Sequence, residues 1–247
     1  MIKNFITAIR TLTILPVPGP ETERPADALY FFPLVGALLG GAVAAAAWLL
    51  GGQLNWPAGA AVAGVAGLVW LTRALHLDGL SDTIDACFAA PERERRLAIM
   101  KDPHIGAFGA AAIVLALLIK AAALERLCAV GCWRWIVLPV ILSRTAMVFI
   151  AVYLPYARAE GGKAAAFFNG AKRKHFLAAA VTAVLFCLLC AGSAGLPAAA
   201  GALIAGLLIM RWMKRAFGGA TGDLLGFTGE MTELLLYFLL AAFSTLN

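Results

Sequence analysis

Charge is what this chain has least of. Only 14% of its 247 residues are Asp, Glu, Lys or Arg, against 62% that are apolar, and the mean hydropathy is +0.86. Soluble domains carry roughly 25% charged and about 45–50% apolar residues. A water-soluble fold would have to spread the apolar excess over its own surface, so the composition excludes an ordinary soluble enzyme and predicts an all-α, polytopic membrane bundle. Cysteine is scarce as well, with five in the chain. Cys187-x-x-Cys190 has redox or metal spacing, but no His or carboxylate stands beside it in its apolar run, and buried inert thiols are expected. Cys128 and Cys132 fall near an expected outer boundary, where a disulfide is conceivable. The N-terminus lacks the long apolar core and small-residue cleavage site of a signal peptide, so none is expected. Ile2, Phe5, Ile6, Ile9, Leu12 and Thr13 instead recur at helical spacing. They predict an amphipathic helix within residues 1–28, either lying in the membrane interface or packed on the bundle, and stopped by Pro16, Pro18 and Pro20.

A helical span needs roughly 20 predominantly apolar residues. Candidates fall at 29–51, 58–75, 105–124, 133–154, 176–192, 195–212 and 229–245, which makes about seven spans, or six if a short one fails. Gly36, Gly40, Gly41, Gly59, Ala63 and Gly67 put small residues on helix faces, where backbones can approach closely. Threading these spans sends most of the basic residues, among them Lys3, Arg10, Arg93, Arg95, Arg96 and Lys172–Lys174, to one side. The other side receives little beyond Lys120, Arg126 and Arg134. The positive-inside rule then places the N-terminus and the loops 76–104, 155–175 and 213–228 in the cytoplasm of a bacterial inner membrane. It also accounts for most of the net charge of +6 without a nucleic-acid partner. The whole chain, 1–247, is expected to be a single membrane-embedded domain whose chemistry is carried by helix ends and loops.

Against this apolar background, Asp78, Asp82 and Asp85 stand at i, i+4 and i+7, on one face of a helix. At about 5 Å and an effective dielectric near 20, each adjacent pair of charges costs roughly 3 kcal/mol before screening. Arg73 is at least a turn away and is not dedicated to relieving that cost. A hard divalent cation would relieve it, and Mg²⁺ is commonly held by few carboxylates together with substrate phosphates. The plainer alternative is a solvated acidic helix end. His76 beside the motif could be a ligand, a general base or an interfacial residue. Gly79 suits a site where a phosphate approaches the backbone.

Companion elements suit an anionic substrate. Lys101-Asp102-Pro103-His104 leads into the third span, whose first N–H groups favour anions. Gly218-Gly219-Ala220-Thr221-Gly222-Asp223 is a glycine-rich loop that can expose consecutive N–H groups and ends in another carboxylate. Arg144 interrupts an apolar run, and an ionisable residue inside a span is functional by default. It could contact a phosphate or pair with a carboxylate. Arg158, after the fourth span on the cytoplasmic side, is a second candidate phosphate contact. Glu230 and Glu233 open the last expected span, where acidic residues complement the helix N-terminus.

Three motifs, in order, resemble the cobalamin synthase family, whose members are adenosylcobinamide-GDP ribazoletransferases. They are His76-x-Asp78-Gly79-x-x-Asp82-Thr83-x-Asp85, Met100-Lys101-Asp102 with Ile105-Gly106-Ala107-Phe108-Gly109, and Gly218-Gly219-x-Thr221-Gly222-Asp223-x-x-Gly226. Phe32-Pro33-Leu34-Val35-Gly36 and Tyr156-Ala157-Arg158 extend the likeness over nearly the whole chain. Ala86, where a glycine is usual, and Pro103-His104, where a Ser-Arg-like pair is usual, depart from it, which makes His104 a weak site residue. The resemblance implies a Mg²⁺-requiring enzyme that joins α-ribazole, or its 5′-phosphate, to adenosylcobinamide-GDP. The products are adenosylcobalamin, or its 5′-phosphate, and GMP. On that basis Asp78, Asp82, Asp85 and Asp223 are metal candidates, with Asp82 catalytic and either Asp85 or His76 the base. Lys101, Arg144, Arg158, Gly218, Gly219 and Thr221 are the phosphate candidates. A homo-oligomer is left open. The alternatives are a CDP-alcohol phosphotransferase, whose Ala-Arg dipeptide after the Asp-Gly is missing here, and a secondary transporter, which predicts carboxylates near the midplane and inverted repeats.

Overall fold

The structure is a computed structural model that describes residues 1–244. Eleven α-helices account for most of the described residues: α1 (Ile2–Leu12), α2 (Phe32–Ala47), α3 (Pro57–Leu71), α4 (Leu75–Ala89), α5 (Arg93–Ile99), α6 (Ala107–Ala129), α7 (Val137–Tyr153), α8 (Ala165–Gly170), α9 (Arg173–Ala191), α10 (Leu196–Phe217) and α11 (Gly222–Phe243). No β-strand occurs among the described residues; a single isolated bridge joins Tyr156 and Ala220. The protein is an all-α polytopic membrane bundle.

Five helical stretches are long and apolar enough to cross a bilayer, and α3 with α4 make a sixth when joined across an 84° bend. One of the five, Arg173–Phe217, is divided at Gly192, whose φ of +58° turns the chain back into the α9–α10 hairpin. Counting the hairpin as two recovers the seven expected passes, with the second one broken. Two boundaries move. The expected span 58–75 stops at Leu71, because Arg73 and Ala74 both take left-handed backbone (φ +54°) and redirect the chain. The last helix begins at Gly222 rather than 229, capped by Thr221, whose hydroxyl accepts the Leu224 N–H. The final residue of the expected span 229–245 lies outside the described residues.

The core is built around α7, whose residues from Val137 to Ala151 are nearly all buried. Glycine sets the closest approaches. A methyl group on Gly36 would come within 2.8 Å of the Val140 carbonyl oxygen, and one on Gly40 within 3.0 Å of the Val137 Cα, so this i, i+4 pair seats α2 on α7. Gly41 and Gly67, expected on the same kind of contact face, meet open space. Leu115, Leu118, Leu185, Leu189 and Ile204 stay exposed on the outer faces, as a lipid-facing surface requires. The α1 helix forms as its periodicity predicts and packs on the bundle through Ile6, Ile9 and Leu12, leaving Met1 and Ile2 exposed. Residues 76–104, expected as a loop, are mostly the helices α4 and α5.

Candidate active site

The α4 helix carries Asp78, Asp82 and Asp85 as expected, and α11 brings Asp223 to them. The two helices cross at glycine. On Gly79 a Cβ would overlap the Asp223 carbonyl oxygen, and on Gly226 it would lie 3.0 Å from that of Leu75. Gly79 therefore admits a helix, not a phosphate. Ala86 is fully buried within α4, so the missing glycine at that position is accommodated.

The four carboxylates differ in what already holds them. Asp85 caps a neighbouring helix: its two oxygens accept the N–H groups of Gly106 and Gly109, each at 2.8 Å. The anion expected at the start of α6 is thus the protein's own. A Cβ on Gly109 would overlap both the Asp85 carboxylate and the buried Ser81 hydroxyl, which explains the glycine. Asp223 accepts from Arg158 at 3.0 Å and from the Thr221 hydroxyl at 3.3 Å. Asp78, which is exposed, and Asp82, which is half-buried, have no side-chain hydrogen bond or ion pair among the described residues.

A cavity of about 770 Å³ opens beside this cluster. Asp78, Asp223, Arg73, Arg158 and Lys163 are among its polar lining residues, and Leu12, Phe32, Met147 and Phe167 among its apolar ones. Asp82 and Asp85 are not on its wall. Arg73 reaches it because the left-handed pair at the α3–α4 break turns the chain there, and its guanidinium also donates to the Arg10 carbonyl.

Several expected site residues lie elsewhere. His76 is buried with its Nε2 unpartnered, in contact with Gly229 on α11 rather than in the cavity. Arg144 is 1% exposed and donates to Glu233 (2.9 Å) and the Ser143 hydroxyl (2.8 Å), so it is committed to a carboxylate and closed to phosphate. Gly218 is the left-handed C-cap of α10, with the Arg93 guanidinium against its Cα. Gly219 allows the 218–221 loop to lie on Pro155, where Ala157 donates to the Ala220 carbonyl and Ala220 to that of Pro155, both at 2.9 Å. Thr221 is buried as the cap of α11. These three residues build a stitched loop, not an open anion cradle. Lys101 forms an exposed ion pair with Glu160, and its hydrogen bond holds the Glu160 carboxyl below its ordinary range. His104 is exposed and closes a turn with Asp102, 2.6 Å from Nδ1; those contacts lower the Asp102 pKa.

Four charges that the sequence placed apart meet inside the bundle. Lys120 Nζ lies 2.6 Å from Glu230 and 2.8 Å from Glu233, and Arg144 completes a neutral set of two cations and two carboxylates. Lys120 is therefore not an outer-loop charge, and the two glutamates sit more than two turns into α11, not at its start. The adjoining cavity, lined also by His76, is about 10 Å³, room for about one water. All five cysteines are free thiols, Cys128 and Cys132 included.

No group of three or more His, Cys, Asp or Glu among the described residues is placed to hold a metal ion by itself. The donor chemistry still suits one completed by a ligand: two unpaired carboxylates a turn apart, with oxygen donors only.

The model of the family described as cobalamin-5-phosphate synthase matches residues 4–241. Adenosylcobinamide-GDP ribazoletransferase from Chlorobium phaeobacteroides is 45% identical, over 95% of this chain and 96% of that one. The protein of that name from Chlorobaculum parvum is 41% identical over 98% and 96%. The one from Syntrophobacter fumaroxidans is 43% identical over 96% and 97%. No solved structure matches with significance. A match along the whole bundle, from α1 to α11 and through each element that builds the acidic cluster, places this chain in the cobalamin-5-phosphate synthase family.

Proposed function

We propose that the chain is an adenosylcobinamide-GDP ribazoletransferase. It joins α-ribazole, or its 5′-phosphate, to adenosylcobinamide-GDP and releases GMP, yielding adenosylcobalamin or its 5′-phosphate. The observation that carries the site is the pair of unpaired carboxylates a turn apart on α4, of which Asp78 lines, with Asp223 and Arg158, a cavity of about 770 Å³. Adjacent like charges without counter-ions favour a cation, and Asp78 and Asp82 would hold Mg²⁺ together with substrate phosphate oxygens. Bound there, Mg²⁺ would neutralise charge developing on the pyrophosphate.

The chain's own residues supply the rest. Arg158 exchanges Asp223 for a phosphate oxygen, assisted by Arg73 and Lys163 on the same wall. The ribazole hydroxyl oxygen forms a bond to the cobinamide-linked phosphorus, and the bond from that phosphorus to the GMP oxygen breaks. GMP leaves with the electron pair, while the hydroxyl proton passes to Asp223. Asp85 acts from behind by fixing α4 on α6. The cytoplasmic face of a bacterial inner membrane is the proposed setting, supported by the one-sided distribution of Lys and Arg.

The test is GMP release by protein in nanodiscs given adenosylcobinamide-GDP and α-ribazole, with Mg²⁺ and with EDTA. Release should require Mg²⁺ and fall at least a hundredfold in Asp82→Asn, with the variant still monodisperse. Near-normal turnover by Asp82→Asn would sink the assignment, and CMP release from a CDP-alcohol would favour the phosphotransferase alternative. The charges in the bundle interior do not favour transport, since they pair into a neutral set.

A further inference from the structure

Seven buried side-chain polar atoms lack a hydrogen-bond partner among the described residues, and three of them belong to residues that wall one small cavity. They are His76 Nε2 on α4, Arg144 Nε on α7 and Glu230 Oε1 on α11. These side chains lie in the bundle interior, with His76 and Glu230 each 3% exposed and Arg144 1%. Glu230 Oε1 is 2.6 Å from Lys120 Nζ, a contact that balances charge but lacks hydrogen-bond geometry. Natural interiors seldom leave such atoms unpaired. The cavity measures about 10 Å³. A single water needs roughly 10–15 Å³ and two to four polar partners. Thr72 and Glu233 also line the cavity, but the Thr72 hydroxyl donates to the Leu68 carbonyl and both Glu233 oxygens already accept. The remaining wall, Val65, Leu68, Val69 and Leu77, is apolar. The three unpaired atoms are therefore the partners on offer.

We propose that this cavity is the binding site of one structural water that joins α4, α7 and α11 inside the bundle. The water accepts from the Arg144 Nε–H, which leaves it two O–H groups to place. One donates to Glu230 Oε1 and the other to the lone pair of His76 Nε2. The imidazole is then neutral, with its proton on Nδ1. His76, which the reaction leaves unused, thereby fastens the first turn of α4 to two other helices without bringing a further charge into the bilayer. The site is independent of the substrate and holds whichever reaction the acidic face performs.

Solid-state NMR of protein carrying ¹⁵N-histidine in proteoliposomes tests it. The chain has three histidines. Exposed His104 is removed as His104→Gln, and His175 serves as the reference, because its Nδ1 accepts the Lys172 N–H at 2.8 Å and its proton is on Nε2. The two remaining rings should be opposite tautomers. His76 Nε2 should appear as an unprotonated nitrogen with a cross peak to water protons. In Glu230→Leu that cross peak should fall roughly threefold or more, since the water loses one of three partners, while the His175 signals stay in place. Two rings protonated on Nε2, or a His76 ring without a water cross peak, overturn the site. An undiminished cross peak in Glu230→Leu does so as well. If that variant does not fold, the tautomer and the water contact seen without it decide the question.

Discussion

Glu233 holds two cations at once, and that makes its removal a sharp test of the buried charge cluster. It lies 2.8 Å from Lys120 and 2.9 Å from Arg144, whereas Glu230 contacts only Lys120 within this set. In Glu233→Gln, Lys120 keeps Glu230 at 2.6 Å, but Arg144 loses the one carboxylate it pairs with among the described residues and retains the Ser143 hydroxyl. A guanidinium that is 1% exposed is then left without a counter-charge. Breaking a buried pair in this way costs about 3–5 kcal/mol. In Glu230→Gln each cation keeps a carboxylate, and the cost should be nearer the value of one charged hydrogen bond, about 1.5–3 kcal/mol. Reversible unfolding in mixed micelles with increasing dodecyl sulfate, followed by tryptophan fluorescence, measures both. The double variant Arg144→Met/Glu233→Leu removes the pair and should recover most of the loss, because apolar replacement of a buried pair is often neutral. If Glu230→Gln costs as much as Glu233→Gln, or if the double variant is worse than Glu233→Gln, the charge accounting is wrong.

Two smaller changes probe the frame of the site. Gly109→Ala forces a methyl group into the Asp85 carboxylate and the Ser81 hydroxyl, and should cost about 1–3 kcal/mol in the same unfolding assay and depress GMP release; Gly67→Ala, which meets open space, is the control and should be near neutral. Thr221→Ala removes the hydroxyl that caps α11, with an expected loss of about 1 kcal/mol, so an unchanged unfolding midpoint would argue against that cap.

Much of the fold was legible because each span is a long apolar run whose ends are marked by charge, proline or glycine. The acidic face was legible for a related reason: Asp78, Asp82 and Asp85 are local, and helical spacing alone aligns them. The partners of those carboxylates were not. Asp85 meets Gly106 and Gly109 more than 20 residues away, and Lys120 meets Glu233 across 113. Only the packing of three helices decides those pairings. One signal was available and passed over. Lys120 sits inside an apolar stretch just as Arg144 does, and two intramembrane cations should have prompted a search for two carboxylates, with Glu230 and Glu233 at hand. The glycines misled for the opposite reason. A glycine that admits a phosphate and one that serves packing look alike in sequence: Gly79 admits a helix, Gly218 ends one in left-handed backbone, and Gly219 lets a loop lie on Pro155.

The two polar regions of the bundle show how α4 is used. Its first turn is set against the cluster of Lys120, Arg144, Glu230 and Glu233, which pairs two cations with two carboxylates. Its middle is pinned on α11 at Gly79 and Gly226, and its last turns are tied to the start of α6 by Asp85. Each constraint uses groups whose charge is matched within the protein, or backbone and glycine contacts that carry none. Asp78 and Asp82 lie between those anchor points and are left without partners. Had the protein needed them for stability, an arginine at either position's neighbour on α6 or α11 would have matched them, as Glu233 is matched. On the proposed reading, their solitude leaves both carboxylates free to take a cation with its phosphate ligand, and the anchors would keep them from swinging apart before that ligand arrives.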